Sequence, residues 1–163
     1  MKNNHTYEES SYPRENNQRL ARVLDKSRAD ELNAISEYLY LSIMFEESIP
    51  WLSELFEEIA TEEMQHFQLL GKMIYDLGAN PNVNVKVSTS RLDLMQDVNC
   101  RGEVEAPRVL DSLIQDEKRA ETEYLRLRTL APTLEMKNTL TEIAEDEHAH
   151  RTFLADARRQ FNK

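Results

Sequence analysis

Two stretches of this chain carry the same arrangement of acid and imidazole: E-I-A-T-E-E-M-Q-H at residues 58–66 and E-I-A-E-D-E-H-A-H at residues 142–150. In a helix Glu63 and His66 lie one turn apart on a shared face, as do Glu147 and His150. A carboxylate and an imidazole so placed are a pair of metal donors, or a proton-transfer pair. Glu145 and His148 offer the same spacing, and helical phase separates the two options. Glu147 and His150 continue the apolar stripe Leu140, Ile143, Leu154 and Ala157, whereas Glu145 and His148 fall off it and are assigned to a solvated flank.

These stretches belong to an internal repeat. D-E-L-N-A-I-S-E-Y-L-Y-L from Asp30 matches D-E-K-R-A-E-T-E-Y-L-R-L from Asp116, an offset of 86, and the stretch from Glu58 matches that from Glu142, an offset of 84. The two halves therefore differ by two residues of connection and predict two related hairpins about a pseudo-two-fold axis. Repetition alone says nothing of chemistry; what matters is which residues fall at core positions. Glu31, Glu63, His66, Glu117, Glu147 and His150 all interrupt apolar stripes at matched depth.

Four carboxylates facing one another in a low-dielectric core would each cost several kcal/mol, on the order of the whole folding stability, unless protonated or neutralised. Two divalent cations offset four negative charges. On this reading Glu63 with His66 and Glu147 with His150 each face one ion, and one Glu from each remaining helix, Glu31 and Glu117, bridges. Carboxylate and imidazole without thiolate favour iron or manganese, with zinc also compatible.

The elements that must position these residues are four helices. The first begins at Asn16 or Asn17 and its stripe runs Leu20, Leu24, Ser27, Glu31, Ala34, Tyr38, Leu41, Phe45, ending near Ser48. The second has Pro50 in its first turn, repeats the rhythm through Leu52, Phe56, Ile59, Glu63, His66, Leu70, Met73 and Leu77, and stops at Gly78. The third opens at Pro107 and ends before Pro132; the fourth carries Leu140 to Phe161. Short links within each pair predict antiparallel hairpins, and residues 79–106 form a long crossover, with a short helix expected over 91–98. Residues 1–15 read as a flexible polar tail, so residues 16–163 hold one all-α four-helix bundle.

Composition agrees and excludes other classes. The chain has 163 residues, 40% of them hydrophobic and 31% charged, with 3 Gly and 5 Pro, which suits one helical domain. A net charge of −10 opposes binding to nucleic acid or to an anionic membrane surface. The single cysteine, Cys100, rules out an intrachain disulfide and any Cys-x-x-Cys metal knuckle. No apolar run reads as a secretory signal or a membrane span, and a cytoplasmic location is expected.

Over roughly Asn17 to Phe161 the chain resembles the ferritin-like di-iron carboxylate superfamily, and its doubled E…ExxH pattern resembles the sites of bacterioferritin and rubrerythrin. The resemblance implies a ferritin-like bundle, rubrerythrin-like without a rubredoxin domain, with two metal ions per chain, iron first and manganese next. It implies Glu31, Glu63, His66, Glu117, Glu147 and His150 as ligands. The function it implies is a non-haem di-iron oxidoreductase, a peroxidase or ferroxidase that reduces hydrogen peroxide or O2 and oxidises Fe(II), served by an external electron donor protein. The alternatives are an iron-storage subunit and a dimanganese catalase. Bacterioferritin-like cages add a short fifth helix after the fourth, for which the residues after His150 leave little room, so a homodimer is expected rather than a cage.

Around these ligands the same comparison marks secondary positions. Tyr38 and Tyr124 follow Glu31 and Glu117 by seven residues and are each expected to donate a hydrogen bond to a ligand carboxylate of the other hairpin. Glu37 and Glu123 are expected to be solvent-exposed. Rubrerythrins carry an extra carboxylate where this chain has Ala120, and Glu121 is a weak substitute for it. Met64 stands where bacterioferritin binds haem; packing at a helix contact is the favoured role and haem is disfavoured. Trp51 and Cys100 are assigned to packing and to the surface.

Overall fold

The computed structural model describes residues 12–85 and 105–162, and side chains from residue 14 onward. Among the described residues four helices follow one another, α1 (Tyr12–Phe45), α2 (Pro50–Asp76), α3 (Ala106–Arg128) and α4 (Leu134–Arg159), with a 3-10 turn at Gln160–Asn162. α1 packs on α2 and α3 on α4 as the two hairpins, and the hairpins meet along α2 and α4. The first helix begins earlier than its pattern suggested, so Tyr12 to Glu15 are helical rather than tail. Pro13 marks a boundary in sequence, yet a helix tolerates proline in its first turn, where the missing N–H has no partner to lose. The remaining tail, the crossover beyond residue 85, its expected helix at 91–98 and Cys100 lie outside the described residues.

Local chemistry sets the ends. Ile49 precedes Pro50 at the start of α2. Gly78 closes that helix with φ 81°, and the amides of Gly78 and Ala79 donate to Tyr75 and Ile74 carbonyls, a Schellman closure that needs the left-handed conformation glycine allows. Thr133 caps α4, its hydroxyl accepting the Met136 amide at 3.2 Å. Within the first hairpin the Ser53 hydroxyl donates to the Ser42 carbonyl at 2.8 Å. Arg28 lies 4.0 Å over the Phe67 ring, beside Gly71, where a β-carbon would come within 3.3 Å of its Nε.

Two apolar clusters fill the bundle. One gathers Leu41, Phe45, Phe56 and Ile59 with Leu110, Leu113 and Leu154; the other gathers Leu20, Leu24, Leu70 and Ile74 with Leu127, Leu140 and Ile143. Between them every helix contributes its polar core residues, so the site is a belt across the middle of the bundle, closed above and below by aliphatic packing. Among the described residues no helix is long and apolar enough to cross a membrane.

Candidate metal centre

All six predicted donors meet in that belt. Glu31, Glu63, His66, Glu117, Glu147 and His150 are each at most 5% exposed. They form two overlapping groups of donor atoms, Glu31, Glu63, His66 and Glu147 in one and Glu63, Glu117, Glu147 and His150 in the other, with the atoms of each group within 4.8 Å of one another. The two groups share Glu63 and Glu147. The bridging expected of Glu31 and Glu117 does not match this grouping: the carboxylates of the Glu-x-x-His motifs belong to both groups, and Glu31 and Glu117 to one each. The reason is topological, since α2 and α4 are the helices in contact across the hairpins and bring their glutamates to the centre.

The histidines are aimed as donors. His66 Nδ1 faces inward, 3.0 Å from Glu63 and 3.2 Å from Glu147, while its Nε2 lies 3.2 Å from Asp146. His150 Nδ1 lies 3.2 Å from Glu63 and its Nε2 2.5 Å from Glu62. Each outward nitrogen thus meets a carboxylate from the facing helix, which fixes the ring and leaves Nδ1 for the centre. Glu147 Oε1 and His150 Nδ1 are buried, and although each lies 3.2 Å from a charged neighbour, His66 Nδ1 and Glu63 Oε1, neither is aligned for a hydrogen bond. Two orphaned buried donors within a set of four carboxylates and two imidazoles fit a pair of divalent cations.

Without cations the belt balances its charge with protons. Burial pushes the Glu31 carboxyl well above its usual range, and Glu63, Glu147 and Glu117 add to the rise. Burial also raises Glu117, to about 8, against the pull of the nearby His150 imidazole and with the help of the Glu147 and Glu63 charges. Burial would raise Glu63 too, but the His150 and His66 imidazoles beside it outweigh burial and hold that carboxyl well below its usual range. Burial and the Glu63 charge likewise act on Glu147, and the two histidines again prevail and lower it. Burial disfavours charge on His66, yet Glu147 and Glu63 raise it to about 10, and the same balance lifts His150 further.

The Tyr38 hydroxyl donates to Glu117 across the hairpins, as expected; the bond and burial together push the phenol pKa up. Tyr124 does not repeat the contact: it is buried in the other apolar cluster, and among the described residues no hydrogen bond joins it to Glu31. Glu121 is held by His148 and Arg151, each at 3.0 Å, on the outer side of α3 and α4, and belongs to neither donor group. Glu145 and His148 lie on exposed positions.

A family model for the ferritin-like domain matches residues 21–163. The chain belongs to the ferritin-like family. No match was found among curated proteins or among solved structures. In this ferritin-like bundle the belt opens into a cleft. A cavity of about 610 Å³ lies between α1 and α3, with exposed Lys26, Asp30 and Arg119 among its walls and Glu31, Glu63, Glu117 and Glu147 at its inner end.

Four residues around this site take places that helical phase alone does not give them. Glu37 is 6% exposed and lines the cavity, contrary to the expectation of solvent. Its six-residue step from Glu31 does turn it off the stripe, but towards α3 across the cleft rather than outward. Its counterpart Glu123 also lines the cavity and is drawn to Arg126 at 2.6 Å. Glu62 and Asp146 were passed over because each looks like one more charge on an acidic helix. The signal was available: they occupy the same position of the repeat, directly before Glu63 and Glu147.

Proposed function

We propose that the chain is a non-haem di-iron oxidoreductase, a rubrerythrin-like peroxidase or ferroxidase acting on hydrogen peroxide or O2. The observation that carries this reading is the pair of overlapping donor groups sharing Glu63 and Glu147, two adjacent cation positions at the inner end of a cavity. Two Fe(II) ions held there would supply two electrons on oxidation to Fe(III), and an external donor protein would return them.

The chain's own residues do the rest. Glu63 and Glu147 hold the two positions at a fixed spacing, with Glu31 and Glu117 at the ends. Asp146 and Glu62 orient the imidazoles so that Nδ1 faces the centre. Tyr38 anchors the Glu117 carboxylate and brings a hydroxyl proton to the side of the site nearest the Phe56 ring. Reduction of one hydrogen peroxide to two waters takes two electrons and two protons, and the acidic cleft between α1 and α3 supplies a path for both water and protons. The apolar clusters above and below keep bulk water out.

The test is a single-turnover reaction of the Fe(II)-loaded chain with hydrogen peroxide. One peroxide consumed per two Fe(II) oxidised, with activity restored by added reductant, is the expected result. Accumulation of many iron ions per chain as mineral would overturn it in favour of storage. Oxygen release from peroxide by a manganese-loaded chain, without reductant, would overturn it in favour of a catalase.

A further inference from the structure

The cavity between α1 and α3 is far larger than hydrogen peroxide needs. At about 610 Å³ it lies within the roughly 300–1,000 Å³ of small-molecule pockets. Hydrogen peroxide is about the size of two waters, each with about 30 Å³ of the liquid. The walls follow the internal repeat: Ser27 and Leu113, Ala34 and Ala120, and Tyr38 and Tyr124 are pairs at an offset of 86, and all six line the cavity. The pseudo-two-fold axis therefore runs through it, and each departure from symmetry marks something that one half does and the other does not.

One turn beyond Glu31 and Glu117 both halves carry alanine. Ala34 packs against one apolar cluster and Ala120 against the other, so the space beside the donor groups is walled by methyl groups instead of being filled. At the Tyr38 end Leu113 narrows that space, and the Tyr38 hydroxyl is engaged on Glu117. At the other end the smaller Ser27 stands in place of Leu113. Tyr124 lines that end, 2% exposed, and among the described residues its hydroxyl has no hydrogen-bond partner. Buried hydroxyls are normally bonded, so this one is set to meet a polar atom of what enters the cavity. A lone hydroxyl beside an aromatic ring and a methyl wall suits a ligand with one oxygen-bearing end and an apolar body.

We infer that the cavity binds the organic group of a neutral organic hydroperoxide, R–O–O–H, whose peroxide end reaches the donor groups. This rests on the peroxidase reading above and names a substrate class for it. The O–O bond breaks, one oxygen leaving as water and the other staying on carbon as the alcohol. Two protons are taken up, and two electrons are drawn from two Fe(II), which become Fe(III). By its place in the repeat Tyr124 serves the Glu31 side as Tyr38 serves Glu117, and it donates to a substrate oxygen there. Charge selects neutral substrates, since the walls carry Asp30, Glu37, Asp116 and Glu123 against Lys26 and Arg119 in a chain of net charge −10, and a substrate carboxylate is repelled.

The experiment uses the full chain in two forms. The metal-free chain is titrated calorimetrically with cumyl alcohol, the product expected from cumene hydroperoxide. Saturable binding is expected, weakened at least about tenfold by Ala120→Leu or Ala34→Leu, which fill the cavity, and roughly 2- to 10-fold by Tyr124→Phe, which removes one hydrogen bond. Phenylacetate, of similar size but anionic, should bind at least about tenfold more weakly than the alcohol. The Fe(II)-loaded chain is then reacted with cumene hydroperoxide and with hydrogen peroxide. Each should oxidise two Fe(II) per molecule, the former yielding cumyl alcohol, and Ala120→Leu should lower kcat/KM for cumene hydroperoxide relative to hydrogen peroxide by at least about tenfold. Circular dichroism checks folding, and if Ala120→Leu is not helical, Ala34→Leu decides. Alcohol binding that all three variants leave unchanged overturns the inference, as does acetophenone in place of cumyl alcohol, the product of one-electron cleavage. Reduction of hydrogen peroxide but not of cumene hydroperoxide overturns it and leaves the peroxidase reading standing; failure with both peroxides overturns both.

Discussion

Filling the belt with two divalent ions should expel close to four protons at pH 7. In the metal-free chain Glu31 and Glu117 are held as acids and His66 and His150 as imidazolium, while Glu63 and Glu147 are ionised, so the cluster is neutral. Metal ligation requires four carboxylates and two neutral imidazoles, and the four charges of the ions then replace the four protons. Glu117, raised to about 8, is ~90% protonated at pH 7, and Glu31, His66 and His150 are raised in the same sense, so the release approaches four protons per chain. With ordinary pKa values all four glutamates would already be ionised and the two histidines would hold only ~0.5 proton between them. Calorimetric titration of the metal-free chain in buffers of different ionisation enthalpy counts the protons directly. The same count makes the overall two-metal constant rise roughly 10⁴-fold per pH unit below the Glu117 pKa, equivalent to about 5.5 kcal/mol. Release of fewer than about one proton would refute the picture of a proton-balanced belt.

Metal-free stability should fall with rising pH. Glu117 and His66 have raised pKa values in the fold, so their stabilisation is complete below the unfolded values of 4.5 and 6.5 and is lost as pH rises through about 8 and about 10. Glu63 and Glu147 act in the opposite sense, their contribution vanishing as pH drops below 4.5. Thermal melts of the metal-free chain should therefore decline between pH 6 and pH 9 by a margin the loaded chain does not show, and a flat profile would contradict the assigned protonation. Asp146→Asn and Glu62→Gln should each weaken metal affinity by about 10- to 100-fold while keeping the stoichiometry, because the imidazole loses its orienting carboxylate; unchanged affinity would deny these residues their role. Tyr38→Phe should cost about 1 kcal/mol in denaturant unfolding and slow peroxide turnover with metal content intact, whereas Tyr124→Phe should leave turnover unchanged.

Much of this was legible in the sequence because the polar interruptions fall in phase with long apolar stripes. Stripe and repeat together located Glu31, Glu63, His66, Glu117, Glu147 and His150, and separated Glu147 with His150 from Glu145 with His148. What helical phase does not encode is which helices touch. Glu63 and Glu147 belong to both donor groups because α2 and α4 are in contact between the hairpins, and Glu37 is buried because α3 stands across the cleft from it. Both facts depend on how the hairpins sit together. Tyr38 and Tyr124 show the limit of the repeat itself, since equal spacing from Glu31 and Glu117 gives one cross-hairpin bond and not two. The start of α1 was misplaced for a local reason: Pro13 ends a pattern but does not end a helix from within its first turn.

The central claim is that six buried side chains hold two ions with Glu63 and Glu147 common to both. Metal content per chain, measured after iron loading and removal of excess on the native chain and on Glu147→Ala, tests it most directly. Two ions are expected in the native chain and stoichiometric binding is expected to be lost in Glu147→Ala, while Glu145→Ala, two residues away on the exposed side, keeps both. Two ions retained by Glu147→Ala would contradict it.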